Sequence, residues 1–366
     1  MSKKDALGYG MFLMPVHHPE KPLAQCYDED LELVVLCEQY GFAEFWVGEH
    51  HSSQLENIVM PEIFIGKALG LSQHIRLGPA PICLLYHHPV QVAGRLAFLD
   101  HLSHGRINLC FGPGAVPSDL EMHGVDPAQS GEMVQESIDT ILEIWSTDPP
   151  YHCQGKHWNF NLEKHVNREL GIGGIHKPFQ KPHPPISIPG ISPKSSSLRF
   201  AGQRGYSAFS HHMLCRDVLR EQWNTYQSGA REAGAEADRS TWKVSRNVFV
   251  AEDGDEARQK ARANSLGWCI DYILQLTRYG AGNLDMWKPD NVMTDTECNL
   301  DYFMDQIVIA GDPDEVAAAI LALYEDLGGF GTFITVAHDW DDKVAWLKSL
   351  ELFSTEVMPA IERALT

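Results

Sequence analysis

Apolar residues along this chain alternate between two periods. Short runs with strand character stop abruptly, and longer stretches with apolar positions three and four residues apart follow them. The runs at 8–16, 43–49, 74–85, 106–112, 184–190, 206–210, 242–251 and 331–337 predict eight strands. Between them the helical period predicts helices over 28–41, 61–72, 89–105, 131–146, 193–205, 216–234, 254–276 and 311–328, with a last one from about 341 to the end. The punctuation agrees. Gly41 and Gly105 sit past helix ends and Pro89 suits a first turn, while Asp312-Pro313 with Glu315 three residues after the cap reads as a capping box.

Two stretches break the alternation. Residues 148–184 and 278–304 carry no sustained period, and the first is rich in His, Gly and Pro. They read as long insertions, which in compact domains are usually functional or mobile. Repeated βα units with right-handed crossovers give either a doubly wound sheet or a closed barrel. Eight units in 366 residues favour an α/β fold, a (β/α)8 TIM barrel with irregular insertions, as a single domain over 1–366.

Composition narrows the partners. Against 49 acidic residues stand 29 lysines and arginines, a net charge of −20 that repels nucleic-acid backbones and anionic membrane surfaces. No apolar run reaches the roughly 20 residues that span a bilayer. The segment MSKKDALGYGMFLMPVHH has two lysines before an apolar run, but glycines break the run and no small-residue cleavage site follows, so a first barrel strand fits better than a signal peptide. The eight cysteines are scattered with no CxxC pair, which points to free thiols in a reducing cytoplasm.

In a (β/α)8 barrel the chemistry sits at the C-terminal ends of the strands. Here the first strand ends in His17-His18, the second in Glu49-His50-His51, the third in Tyr86-His87-His88 and the sixth in His211-His212. All four His-His pairs of the chain therefore follow predicted strands, which points to one common mouth. A metal site is disfavoured. Adjacent residues of an extended segment point to opposite sides, so His-His is a poor chelate, and neither HxH nor HExxH occurs. Acid/base chemistry is the better reading of these histidines. Alternation places Trp46, Gly48 and His50 on one face of the second strand and Glu49 and His51 on the other. His50 is the first catalytic candidate and His51 the second, with Gly48 leaving room for something flat.

GPGAVP at 112–117 lacks the third glycine of a dinucleotide fingerprint, and no helix is expected to open there. Gly112 and Gly114 still permit close backbone approach. In PGISPKSSSL, Ser192 reads as an N-cap with Pro193 at the first helical position. Free helix amides with the hydroxyls of Ser192 and Ser195 and the charge of Lys194 suit a phosphate.

Together FWVGEHH (45–51), RLGPAPICLLYHHPVQVAGRLAFLDHLSHGR (76–106), INLCFGPG and ISPKSS resemble the bacterial luciferase-like flavin monooxygenases. The likeness extends more loosely over nearly the whole chain, and over 43–126 it is greatest to the limonene and diketocamphane monooxygenase branch. The resemblance implies a barrel that takes reduced FMN at its mouth from a separate flavin reductase. With oxygen it forms a C4a-(hydro)peroxyflavin and oxygenates an apolar ketone, terpene or aldehyde. It also implies a homodimer. The family's acid/base histidine falls on His50, its cis peptide under the flavin on Ala80-Pro81, its fourth-strand flavin-facing position on Gly112, and its phosphate contacts on Ser192 and Ser195. Phe12, Met14, Trp46, Tyr86 and Met213 are candidates for the apolar lining, each reading equally well as core.

The chain departs from luciferase at Gly112-Pro113, where luciferase has a cysteine and a cofactor-binding arginine. A roomier pocket is expected there, and light emission is not implied. The main alternative on the same fold is an F420-dependent oxidoreductase transferring hydride without oxygen. A non-catalytic flavin binder and a metal-dependent hydrolase are further alternatives.

Overall fold

In a computed structural model, which describes residues 7–366, the eight predicted strands close into one barrel. The lysines of the N-terminal segment lie outside the described residues. The first strand, Gly8–Leu13, pairs in parallel with the second, Glu44–Val47, and with the eighth, Thr332–Ala337. The order continues through the seventh, Lys243–Arg246, the sixth, Ser207–Ser210, the fifth, Ile186–Gly190, and the fourth, Leu109–Gly112. The third strand closes the ring. Its first segment, Arg76–Pro79, pairs with the second strand, and its second segment, Ile82–Cys83, pairs with the fourth. The predicted run 74–85 is thus split in two at Pro81, which cannot donate to the ladder; the Ala80-Pro81 peptide is cis.

The register fixes which side chains face inward. Phe12, Trp46, Ala80, Cys110, Phe209 and Ile334 pack on one another as a cluster separate from the main core, so they fill the lumen. Gly78 makes this possible, since a Cβ there would come 2.7 Å from both the Trp46 ring and the Asn108 carbonyl. Toward the strand starts the lumen is polar: Asn108 donates to Glu44 at 3.1 Å, Arg76 donates to Asn108 at 2.8 Å, and Lys243 lies 3.7 Å from Glu44. Outward residues such as Phe45, Leu77, Phe111 and Phe333 are fully buried beneath the helices. Burial of each is worth about 1.5–3 kcal/mol.

Several boundaries differ from expectation. The predicted strand 242–251 leaves the barrel at Asn247, and Val248–Val250 pairs instead with Ile309–Gly311. The predicted helix 254–276 is two, Gly254–Ala263 and Ser265–Ala281, broken where Asn264 caps the second. A short helix, Pro117–Met122, does open after GPGAVP, with proline in its first turn. The capping box at Asp312 and Glu315 is present.

Of the two insertions, residues 148–184 hold an antiparallel hairpin, Tyr151–Gln154 with Asn159–Leu162. Glu136 accepts from the amides of 156–158, and Asp100 accepts from Gln180, which ties this segment along the barrel's flank. At the mouth side Trp158 packs on His88, with ring centroids 5.5 Å apart. Residues 278–304 reach the mouth, placing Trp287 4.9 Å from the His211 ring. Among the described residues no helix is long and apolar enough to cross a membrane.

Candidate active site

The end of the second strand separates its three titratable groups as alternation requires. His50 Nε2 lies 2.7 Å from Glu56 Oε2, and Glu56 Oε1 accepts from the Tyr272 hydroxyl at 2.7 Å. Tyr272 belongs to the helix Ser265–Ala281, so a residue far along the chain completes this contact. Burial works against charging His50, but the Glu56 carboxylate outweighs it and lifts the imidazole above its ordinary range. Burial likewise disfavours the Glu56 carboxylate, yet His50 and the Tyr272 hydroxyl hold it below its usual range.

Glu49 points the other way and is 1% exposed. Its Oε1 accepts from His51 Nε2 at 2.7 Å and from His87 Nε2 at 2.5 Å, and its Oε2 accepts from the Cys83 amide at 2.8 Å. Burial opposes this charge, and the two imidazole donors overcome it. The expectation that adjacent histidines point apart holds at His50-His51 but fails at His211-His212, whose rings lie 4.2 Å apart, and it misses convergence between strands. His51 and His87 come from different strand ends and, with Glu49, form a group of metal-ligand type. In the structure one carboxylate oxygen stands where both Nε2 atoms point, so hydrogen bonds satisfy the cluster.

The segment after the fourth strand folds back onto this cluster. Asp119, 1% exposed, accepts from the amides of His51 at 3.1 Å and Ser52 at 2.7 Å, and from the Ser52 hydroxyl. His123 stacks on Tyr86 with centroids 4.6 Å apart and lies 5.1 Å from the His51 ring. Gly114 has φ +79, and a Cβ there would come 2.1 Å from the Tyr86 hydroxyl, so both backbone conformation and space demand glycine. Gly112 leaves no open pocket. Its Cβ position is already met by Pro81 at 2.9 Å and Pro189 at 3.3 Å, which corrects the expected vacancy. Gly48 is likewise faced by Pro15 at 3.1 Å.

In the serine loop the cap is Ser195, not Ser192. The helix Ser196–Arg204 begins three residues later than expected, and Ser195 Oγ accepts from the Leu198 amide at 3.4 Å. Ser197 Oγ lies 2.8 Å from Ser195 Oγ. Ser192 and Lys194 are exposed, and the Ser192 carbonyl accepts from Gln222 at 3.1 Å.

The four His-His pairs do not share one task. His17 is buried between Asp30 and Asn57, at 3.2 Å from each, a structural anchor. His18 lies by Trp268, and His88 caps the helix Pro89–Leu102. His211 and His212 stack at 4.2 Å. Among the lining candidates, Phe12 and Trp46 are in the lumen cluster and Tyr86 lies beside the histidine cluster. Met14 and the fully buried Met213 belong to the main core, which removes them from the lumen. Glu56, Tyr272 and Asp119 were not legible as site residues. Their partners are distant in sequence, and only an acidic residue close after EHH hinted at one of them.

The family model described as Luciferase-like monooxygenase matches residues 8–330. The chain is 32% identical to 3,6-diketocamphane 1,6-monooxygenase of Pseudomonas putida over 97% of this chain and 98% of that one. It is 31% identical to limonene 1,2-monooxygenase of Rhodococcus erythropolis over 96% and 86%. Among solved structures, the oxygenating constituent of 3,6-diketocamphane monooxygenase, a type II Baeyer-Villiger enzyme in complex with FMN, superposes with a TM-score of 0.86 at 31% identity, covering 97% and 98%. An F420-dependent secondary alcohol dehydrogenase, at 20% identity and a TM-score of 0.71, shares the fold alone. The barrel, the histidines at its strand ends and these full-length likenesses carry one conclusion: this chain belongs to the luciferase-like monooxygenase family.

Proposed function

We propose that the protein is the FMN-dependent oxygenase of a two-component monooxygenase, oxygenating an apolar cyclic ketone, terpene or aldehyde. The observation that carries this reading is His50, set against Glu56 at a strand end of a chain that aligns over 97% of its length with an FMN-bound oxygenase. The residues present fit a flavin. Phe12, Trp46, Ala80 and Phe209 make an apolar floor, while the buried Trp46 indole nitrogen and Tyr86 hydroxyl have no protein partner. Ser195, Ser197 and Lys194 stand at a helix start where a phosphate ester is favoured. Reduced FMN, when bound, supplies the electrons that activate dioxygen.

The chain's own residues then have separable tasks. His50 holds or moves a proton at Nε2, with Glu56 setting how readily it does so. Glu49 and Asp119 hold His51 and its backbone in place. The apolar lumen keeps water from the reacting centre.

A flavin reductase is the expected partner, as membership of the family implies. One relative, the trigonelline monooxygenase of Acinetobacter baylyi, is named as an oxygenase component, 26% identical over 93% of this chain. A homodimer is supported by exposed Ile63, Phe98 and Leu102 on the neighbouring helices Pro61–Leu69 and Pro89–Leu102. Free thiols at all eight cysteines accord with a cytoplasmic setting. The test supplies FMN, a reductase, NADH and labelled oxygen to a panel of cyclic ketones and terpenes. One labelled atom in a product supports the proposal. F420 reduction without oxygen uptake, or no flavin binding at all, overturns it. Size-exclusion of Phe98→Glu against the native chain tests the dimer.

A further inference from the structure

Arg246 ends the seventh strand with a side chain that almost no protein group engages. The residue is 3% exposed, and its one hydrogen bond runs from Nη1 to the Ser245 carbonyl at 2.9 Å. Among the described residues no carboxylate forms an ion pair with it. Buried arginines are ordinarily paired, because an uncompensated charge in a low-dielectric site is costly. Burial, then the like charge of Arg216, pushes this guanidinium down to about 10, which still leaves it a cation at neutral pH.

The neighbours share the same deficit. Asn247 is 1% exposed, and its Oδ1 lies 3.1 Å from His338 Nε2, which leaves its Nδ2 buried with no partner. His212, also 1% exposed, has both ring nitrogens buried and unpartnered; Asn247 lies next to it without reaching hydrogen-bond geometry. Burial, reinforced by His211, His338 and Arg246, holds His212 neutral, so one of its ring nitrogens is a donor. The helix Arg216–Glu232, whose first residue biases Arg246, opens with no side-chain cap. The unmet groups are thus a cation, an amide N–H and the two nitrogens of a neutral imidazole, one a donor and one an acceptor, with nothing anionic among them.

We infer that Arg246, Asn247 and His212 form a binding subsite for a small oxyanion, phosphate or carboxylate, at the ends of the sixth and seventh strands. The place suits a ligand of the mouth. The His211 amide donates to the Gly190 carbonyl at 3.3 Å, so this corner adjoins the fifth strand and the serine loop that follows it. Trp287, from the insertion 278–304, covers it through His211. The anion has two possible sources, the phosphate ester of a bound flavin or an anionic group of a separate ligand. Either would meet a planar guanidinium fork suited to two oxygens at once.

The test measures binding to the full chain without turnover, by calorimetry with inorganic phosphate, acetate, FMN and riboflavin. The native chain is expected to bind phosphate or acetate, and Arg246→Gln to weaken that binding at least tenfold while keeping the native circular dichroism. If the flavin supplies the anion, Arg246→Gln also weakens FMN and leaves riboflavin unchanged. If a separate ligand supplies it, both flavins bind the variant as before. Should Arg246→Gln fail to fold, Asn247→Ala and His212→Phe carry the same readout. The inference is overturned if the native chain binds neither anion, or if the folded variants bind them as tightly as the native chain. Because the anions are titrated without flavin, this outcome is independent of whether the protein is a monooxygenase.

Discussion

His50 Nε2 and Glu56 Oε2 stand 2.7 Å apart, and through Tyr272 this contact joins the end of the second strand to a helix more than two hundred residues on. Imidazole, carboxylate and phenol form one hydrogen-bonded line at the barrel mouth. Its consequences separate cleanly from those of the neighbouring Glu49 cluster.

Replacing His50 with alanine is expected to leave the barrel and FMN affinity close to native. The imidazole packs near the surface of the mouth, and the His50 amide bond to the Ile58 carbonyl survives the change. Product formation should fall by on the order of 100-fold, the usual contribution of a positioned acid/base group. Labelled-oxygen product yield, set beside an FMN titration, checks both halves. A variant with native yield would remove His50 from the chemistry.

Glu56→Gln tests the coupling through pH. His50 is raised above its ordinary range, so its share of stability is complete below that range and is lost as pH rises through the raised value. Glu56 is lowered, so its share is complete above the ordinary carboxylate range and is lost as pH falls through the lowered value. The native chain's margin over Glu56→Gln should therefore peak between these two ranges, at about 2 kcal/mol, and shrink on either side. Urea unfolding across pH measures it. The imidazole titration in the variant should move to lower pH, because the strongest charge that raises it is gone and burial is then opposed only by Asp119 and Glu49.

Glu49→Gln should chiefly cost stability. The carboxylate is fully buried and satisfies two imidazoles and the Cys83 amide, whereas an amide side chain offers one acceptor and brings two donors into the same space. Breaking such a buried charged network costs about 3 kcal/mol or more. A thermal midpoint equal to native would show that the network is dispensable.

Gly114→Ala should destabilise by about 1–3 kcal/mol through its positive φ alone. The approach to the Tyr86 hydroxyl adds to this. Tyr86→Phe removes the atom that a Cβ would meet first, so the double variant should be less destabilised than the sum of the two singles. Strict additivity would place Tyr86 elsewhere.

The barrel was legible from periodicity because its strands and helices each write their burial locally. Alternate residues face alternate sides in a strand, and a helix repeats its apolar face every three or four positions. The same alternation correctly assigned His50 and Glu49 to opposite sides of the second strand. Local signals also marked the capping box at Asp312 and the closing glycines. They were less reliable in loops. Ser192 looked like a cap, but the helix waits for Ser195, because the first turn depends on how Gln222 and Thr225 hold the preceding carbonyls.

Partnership between distant residues was decided only by tertiary structure. Four His-His pairs look alike in the chain, yet one is pinned by Asp30, the second and third strand ends share the single carboxylate of Glu49, with His88 of the third also capping a helix, and the rings of the fourth stack on each other. Gly112 reads as a vacancy, yet Pro81 and Pro189 already stand against it. Arg246 carries no sequence signal, since an arginine closing a strand is unremarkable until burial leaves it without an anion. A strand's inward face is set by its own residues, whereas the charge and hydrogen-bond balance at the mouth depends on which loops closure of the barrel brings together.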